Sequence, residues 1–385
     1  MEHRVDAVLL AGDVVDDQGA YFEVLGPLQR AMERLEGIPV LAVAGNHDAR
    51  VLPSLAQELP GLTVLGRDGR WQEHVLHTAV GEVAILGQSF RPDRPEDGGP
   101  AWSTRSPFQD PPPESRSDRL RIGLLHGDLD ASSSRYAPFT STQLRQFRAD
   151  AWLLGHVHVP SVQGLGQRVP MGYLGSVCGL DPGETGPRGA WLVRCEPGRV
   201  RMEHLPLAPL AWMQGDVQAS DATAQDLADR LRQAAGELAR QVPNALAVGV
   251  RLRIVGQSEH WRQLHEAVGS LRTGQDAEPW THQGRRVFLD RIEAAVTAPL
   301  PLEELAKERS AAGRVASLIV QLEQGQAGEL VERACARFEE LAGTPSLRLP
   351  DLGERTIPLP DARRVLIDEA RLVLSELLAQ RREEP

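Results

Sequence analysis

The chain has 385 residues, of which 41% are hydrophobic and 25% charged, an ordinary composition for a globular protein long enough for two or three domains. A formal net charge of −11 argues against a broad nonspecific nucleic-acid surface, although it leaves room for a local arginine groove. No apolar run approaches membrane-spanning length, which excludes a transmembrane helix and points to a cytoplasmic protein with no membrane contact.

In chain order, residues 5–12 read as a strand, 20–36 as a helix with Phe22, Leu25, Leu28, Met32 and Leu35 on one face, and 38–44 as a strand. A helix at 51–59 and strands near 62–65 and 82–87 follow, a βαβ alternation that predicts a largely parallel sheet. Residues 91–119 are dominated by Pro, Gly, Ser, Asp and Arg, including Pro111-Pro112-Pro113, and read as a long mobile surface loop. Strand 121–125, a helix near 140–148 and strand 151–155 resume the pattern. Residues 160–205 alternate β-like runs with Gly turns.

Pro206, Pro209 and the polar stretch 214–222 predict a linker. Helix 223–241, strand 245–255, helix 258–272 and strand 285–297 then form an αβαβ module, with Leu246, Val248, Val250, Leu252 and Ile254 on one strand face and Arg251 and Arg253 on the other. Beyond residue 302 the chain is mostly helical. Residues 327–342 place Leu330, Val331, Ala334, Phe338 and Leu341 on one face, and the last helix carries a narrow seam of Leu366, Ala370, Val373 and Leu377. The predicted domains are 1–205, 220–298 and 302–385.

Four polar blocks interrupt the first domain: Gly12-Asp13, Gly45-Asn46-His47-Asp48, His126-Gly127-Asp128 and Gly155-His156-Val157-His158. Each follows an apolar run, so each reads as a buried strand ending in oxygen or nitrogen donors, the way an α/β fold builds a site at a sheet edge. Hydrolysis of a phosphate ester needs an activated nucleophile and neutralisation of oxygen charge, and two divalent metals about 3.5–4 Å apart supply both. Such a centre wants a bridging carboxylate, neutral imidazoles and an amide oxygen, and Asp13, Asn46, His126, His156 and His158 provide them. Oxygen and nitrogen donors without sulfur fit Mn²⁺, Fe or Zn²⁺ better than Ca²⁺. Cys178, Cys195 and Cys335 have no metal-ligand spacing and suggest a reducing compartment. The single lysine, Lys307, lies outside any Gly-Lys-Ser/Thr motif, so the chain has no P-loop, and ATP-driven work would fall to a partner.

The blocks in this order resemble the calcineurin-like metallophosphoesterase superfamily. The fuller pattern resembles the SbcD-like DNA repair exonuclease subunits, especially the bacterial YhaO-like branch. Glu184-Thr185-Gly186-Pro187-Arg188-Gly189 after Gly175-Ser176 is similar to that branch's strand-turn signature. The αβαβ module resembles its cap, and the helical C-terminus its ATPase-binding arm. The resemblance implies an α/β fold, a β-sandwich flanked by helices, with a small α+β cap and a helical arm. It implies Asp13 bridging two Mn²⁺ ions, Asn46, His126 and His156 completing the second, and His158 serving the first. His47 becomes the catalytic histidine that contacts phosphate or protonates the leaving oxygen. Asp48 orients a neighbour, and Asp16 and Asp128 are loop or supporting groups.

The family opens with a strand ending in Asp-x-His, and the eleven residues before Gly12 contain none, since His3 and Asp6 have the wrong spacing. Either the natural start lies upstream or one metal has been lost. The intact remaining ligands favour the upstream start. The leading expectation is a DNA exonuclease or endonuclease working with a separate SMC-like coiled-coil ATPase, with DNA as substrate and a homodimer conceivable. The alternatives are a phosphoesterase on a small phosphodiester or phosphoprotein, and a catalytically impaired scaffold. The cap and tail favour the first expectation, whereas the missing motif favours the scaffold.

Overall fold

The computed structural model describes residues 4–16, 19–92, 103–113, 119–165, 169–220, 222–271, 278–342 and 359–383. They fall into two compact units: residues up to Val177 together with Arg188–Pro206, and Cys178–Pro187 together with the residues from Leu207 onward.

In the first unit, β1 (Val8–Ala11), β2 (Val40–Val43) and β3 (Leu62–Val64) form a parallel sheet in that order. A second sheet runs β4 (Gln72–Thr78), β5 (Gly81–Gln88), β6 (Leu120–His126), β7 (Ala151–Gly155) and β8 (Met171–Tyr173), parallel from β5 onward. β9 (Ala190–Glu196) and β10 (Arg199–Leu205) form a separate two-stranded antiparallel sheet. Strand residues alternate faces, and that parity sorts the layers. Leu9, Leu41 and Val43 share a core with Val83, Ile85, Ile122, Leu124, Leu153 and Val200. The intervening residues Val8, Leu10, Val40 and Ala42 face α1 (Tyr21–Arg34) and α2 (Val51–Glu58). On the far side of the second sheet, Leu125, Trp152, Leu154 and Tyr173 pack with Leu144 of α3 (Ser141–Gln146). The result is the mixed α/β architecture that the strand–helix alternation predicts.

In this unit two segments differ from the sequence expectation. Residues 72–78 form β4, because the polar Gln72, Glu73 and His77 lie on an edge strand that pairs antiparallel with β5. The span 91–119 is more than a loose loop: in its described part, 103–113, Ser103 and Pro107 are buried, and Phe108 stacks on Phe147 with ring centroids 4.9 Å apart. Averaging composition over the span hid Phe108, the aromatic anchor of its described part. Residues 93–102 and 114–118 lie outside the described residues.

In the second unit, β11 (Leu210–Gln218), β12 (Ala247–Gln257), β14 (Arg285–Thr297) and β13 (Trp280–His282) form a sheet in the order β11-β12-β14-β13. Leu227 and Leu231 of α4 (Leu227–Ala239) and Leu264 and Val268 of α5 (Trp261–Leu271) share its core with Val248, Val250, Leu252 and Ile254. The stretch read as a linker therefore contains β11. Its exposed Gln214, Asp216 and Gln218 are the outward half of an alternation whose inward half holds Met213 and Val217. Leu246 precedes β12 and is exposed, so it does not belong to the buried series. The C-terminal helices are α6 (Leu302–Leu305), α7 (Ala311–Glu323), α8 (Gly328–Ala342) and α9 (Leu359–Glu383). Leu374 of α9 is buried against Ala316 and Ile319 of α7, with Ile367, Ala370 and Leu378 beside it. The buried stripe is thus rotated from the expected seam, and Val373 is half exposed. Among the described residues no helix is long and apolar enough to cross a membrane.

Trp152 is fully buried, lies 5.9 Å from the Phe108 ring and donates its indole N–H to the Leu144 carbonyl at 3.0 Å. Trp152→Ala should cost about 3–5 kcal/mol, combining a large cavity with an orphaned carbonyl. Urea denaturation measures this, and a loss below about 1 kcal/mol would contradict the assignment of Trp152 to the core.

Candidate metal centre

The polar blocks meet because the half-buried apolar strand β1 and the buried apolar strands β2, β6 and β7 have C-terminal ends that converge. β1 delivers Asp13, β2 delivers Asn46, His47 and Asp48, β6 ends in His126 itself, and β7 leads into His156. Gly155 and Gly45 make the approach possible: a Cβ on Gly155 would collide with the Ala11 carbonyl, and one on Gly45 with the Asp13 carboxylate. Asp13 and His156 both have left-handed backbone, at φ 51° and 107°. Such conformations are costly for a residue with a side chain and concentrate at functional sites.

One donor atom from each of Asp13, His126 and His156 lies within 4.8 Å of the others. His126 Nε2 is 3.1 Å from Asp13 Oδ2 and 2.9 Å from Asn46 Oδ1, and His156 Nδ1 is 3.1 Å from the same amide oxygen. His126 Nδ1 lies 2.8 Å from the Ala11 carbonyl, which can only accept, so Nδ1 carries the hydrogen. In the neutral ring Nε2 then presents a lone pair to two oxygens that also present lone pairs. That arrangement requires a cation between them, either a proton on Nε2 or a metal ion. The donor set fits a divalent metal.

The electrostatics agree. Burial opposes charge on His126, but the Asp13 carboxylate and the Ala11 carbonyl overcome it and raise its pKa. Burial likewise pushes Asp13 up, and the charge and hydrogen bond of His126, together with the His47 N–H, bring it down to about 2. The neighbours that favour a proton on His126 Nε2 are the same oxygens that would face an ion. His156 is pushed down to about 4 by burial and by His126, against the pull of Asp128, so its ring is neutral near pH 7 and can offer a lone pair. Its Nε2 is 3.3 Å from Asp128 Oδ1, and Asp128 in turn accepts from the Ser134 hydroxyl, a chain that fixes the ring's orientation.

Asp48 braces the site from behind. It accepts from the Gly45 N–H at 2.6 Å and from the Val14 N–H at 2.7 Å, tying the loop after β1 to the loop after β2. His47 donates its backbone N–H to Asp13 Oδ1 at 2.9 Å, and its Nδ1 lies 2.9 Å from the Asp16 carbonyl, leaving Nε2 to face outward chemistry. The structure therefore gathers Asp13, Asn46, His126 and His156, with His47 and Asp48 adjoining. His158 stands outside that group: it is exposed, and its carbonyl accepts from the Ser176 N–H at 3.0 Å and from Arg188. His3 lies outside the described residues. Sequence reasoning missed the roles of Ser134 and the buried Arg188. The available signals were faint, a hydroxyl in a serine run and an arginine just before an apolar strand.

Burial lifts Asp48 to about 6 from an ordinary 3.8, with the Asp13 charge adding and the Gly45 and Val14 N–H groups opposing. The folded chain thus holds this proton more tightly than the unfolded chain. The stabilisation is complete below 3.8 and lost as pH rises through about 6. Asp48→Asn should destabilise the metal-free protein by about 1–3 kcal/mol, because an amide nitrogen cannot accept from Gly45 or Val14. His156 is common to both proteins, and the Asp48 charge ranks last among the causes of the His126 shift, so losing it leaves Asp48 itself the dominant difference between the two proteins. The variant's deficit should therefore be larger near pH 5 than near pH 7.5 in thermal melts. A deficit that grows with pH would contradict this account.

The family model for calcineurin-like phosphoesterases matches residues 1–160. No curated protein matches the chain. The family match over that span, taken with the divalent-metal donor group at its strand ends, identifies residues 1–160 as a calcineurin-like phosphoesterase domain.

Proposed function

We propose that the chain is a Mn²⁺-dependent phosphodiesterase acting on DNA, the nuclease subunit of a cytoplasmic repair complex whose ATPase is a separate SMC-like coiled-coil protein. The observation that carries the metal chemistry is the meeting of Asp13, Asn46, His126 and His156 donors at one point. The DNA reading draws on the second unit, a sheet with two flanking helices followed by a helical tail, which a small-substrate enzyme has no need of. The absence of a P-loop supports a separate ATPase, and three free cysteines are compatible with a reducing compartment.

In this reading Asp13, Asn46, His126 and His156 would hold one ion, and Asp13 and His158 would serve a second. A bound divalent ion supplies Lewis acidity toward the phosphate oxygens and water. The chain's own residues do the rest. The Ala11 carbonyl and Asp128 hold the two imidazoles in their tautomers and orientations. His47, with Nδ1–H anchored on the Asp16 carbonyl, meets the phosphate through Nε2 and hands a proton from that atom to the leaving oxygen as the P–O bond breaks.

The test is cleavage of linear duplex DNA in Mn²⁺, measured beside hydrolysis of bis(p-nitrophenyl) phosphate and of a phosphopeptide. His47→Ala should lower cleavage about 10²–10⁴-fold while metal binding persists. His126→Ala should lose both, because a donor atom is removed. Release of metal by His47→Ala would overturn its role. Hydrolysis of the phosphopeptide or small ester with DNA left intact would overturn the substrate.

A further inference from the structure

Asp128 sits between two peptide groups that share one partner. The Tyr173 hydroxyl accepts from the Leu129 N–H at 2.7 Å and donates to the Gly127 carbonyl at 3.1 Å. It thus grips the backbone on either side of Asp128 from β8, the strand next to β7 in the sheet. The Tyr173 ring is buried, 8% exposed, among Leu125, Trp152 and Leu154. Packing in that apolar core needs the ring and not the hydroxyl, since phenylalanine fills the same space. An oxygen placed there gives up its hydration, which calls for a polar task in return.

What the grip holds is the partner of a metal donor. Asp128 Oδ1 lies 3.3 Å from Nε2 of His156, and a carboxylate accepts, so the ring hydrogen stands on Nε2. Nδ1, 3.1 Å from the Asn46 amide oxygen, is left with its lone pair toward the other donors. Asp128 also donates its N–H to the Tyr136 carbonyl at 2.8 Å and accepts from the Phe139 N–H at 2.9 Å. Those two bonds tie the loop to itself. Tyr173 ties it to the sheet, and in the sheet Tyr173 pairs with Leu154, two residues before His156. The hydroxyl therefore sets the distance between Asp128 and the imidazole that it orients. We propose that Tyr173 is a positioning residue of the metal centre, whose hydroxyl holds Asp128 where it keeps His156 Nδ1 turned to the ion. The inference rests on the reading of Asp13, Asn46, His126 and His156 as one metal site, and it concerns affinity for the ion rather than the choice of phosphate ester.

The test is a double-mutant cycle on Mn²⁺ affinity, measured by calorimetric titration of the full chain, with urea denaturation of each variant alongside. Tyr173→Phe should weaken Mn²⁺ binding about three- to tenfold, the worth of one neutral hydrogen bond. Asp128→Ala should weaken it about 10–100-fold, as loss of the group that orients a ligand does. Because Tyr173 acts through Asp128, adding Tyr173→Phe to Asp128→Ala should change the affinity less than about twofold. A hydroxyl that serves the fold alone predicts a lower urea midpoint with Mn²⁺ affinity unmoved, or equal losses of affinity in both backgrounds, and either result overturns the role. Failure of Tyr173→Phe to fold overturns it as well, by making the hydroxyl a requirement of the scaffold. The two readings separate cleanly. A wild-type chain that binds no Mn²⁺ overturns the metal site and this role with it, whereas wild-type binding matched by Tyr173→Phe overturns the role and leaves the metal site standing.

Discussion

Oxygens of Asp13 and Asn46 each lie about one hydrogen-bond length from Nε2 of His126, and a cation, a proton or a metal ion, reconciles their lone pairs with that of the ring. Much else in the first unit serves to hold that conflict in place. The Ala11 carbonyl removes the escape of tautomerisation by claiming Nδ1 of His126. The His47 backbone N–H fixes one oxygen of Asp13, so the other points at the imidazole. Burial of Asn46 and His126 keeps water from dissipating the field.

The scaffold bears a cost for this geometry. A left-handed histidine, a buried carboxylate at Asp48 and a cluster of facing acceptors are each unfavourable in isolation. They persist because β2, β6 and β7 are almost entirely buried and leave the strand ends little freedom. Asp48 shows how one residue serves both ends: it satisfies loop N–H groups after β1 and β2, which a neutral apolar side chain could not do, and its charge is tuned by the same neighbours that surround the metal donors. Local instability of the empty centre and affinity for a cation are two descriptions of the same stored conflict.

Much of this was legible from sequence where the signal was local. Apolar runs such as Trp152-Leu153-Leu154 ending in Gly155-His156 announce both the buried strand and the donor that follows it. The donor residues Asp13, Asn46, His126 and His156 could be picked for the same reason, although their meeting point depends on long-range packing. What failed was long-range or masked by averages. Edge strand β4 and strand β11 hide behind outward polar residues, since an alternating strand half exposed to water resembles a polar connection. Phe108 is an aromatic anchor in a mostly polar stretch. The stripe of α9 is set by which face α7 offers, which no periodicity within α9 encodes.

The central claim is that the proton on His126 and the metal ion are alternatives for one position. Calorimetric titration of the full chain with Mn²⁺ near neutral pH, in two buffers of different ionisation enthalpy, measures the protons exchanged on binding. The account predicts net proton release on binding at this centre, growing as pH falls, with affinity rising with pH. Tight binding without proton release, or no binding of Mn²⁺ at all, would contradict it.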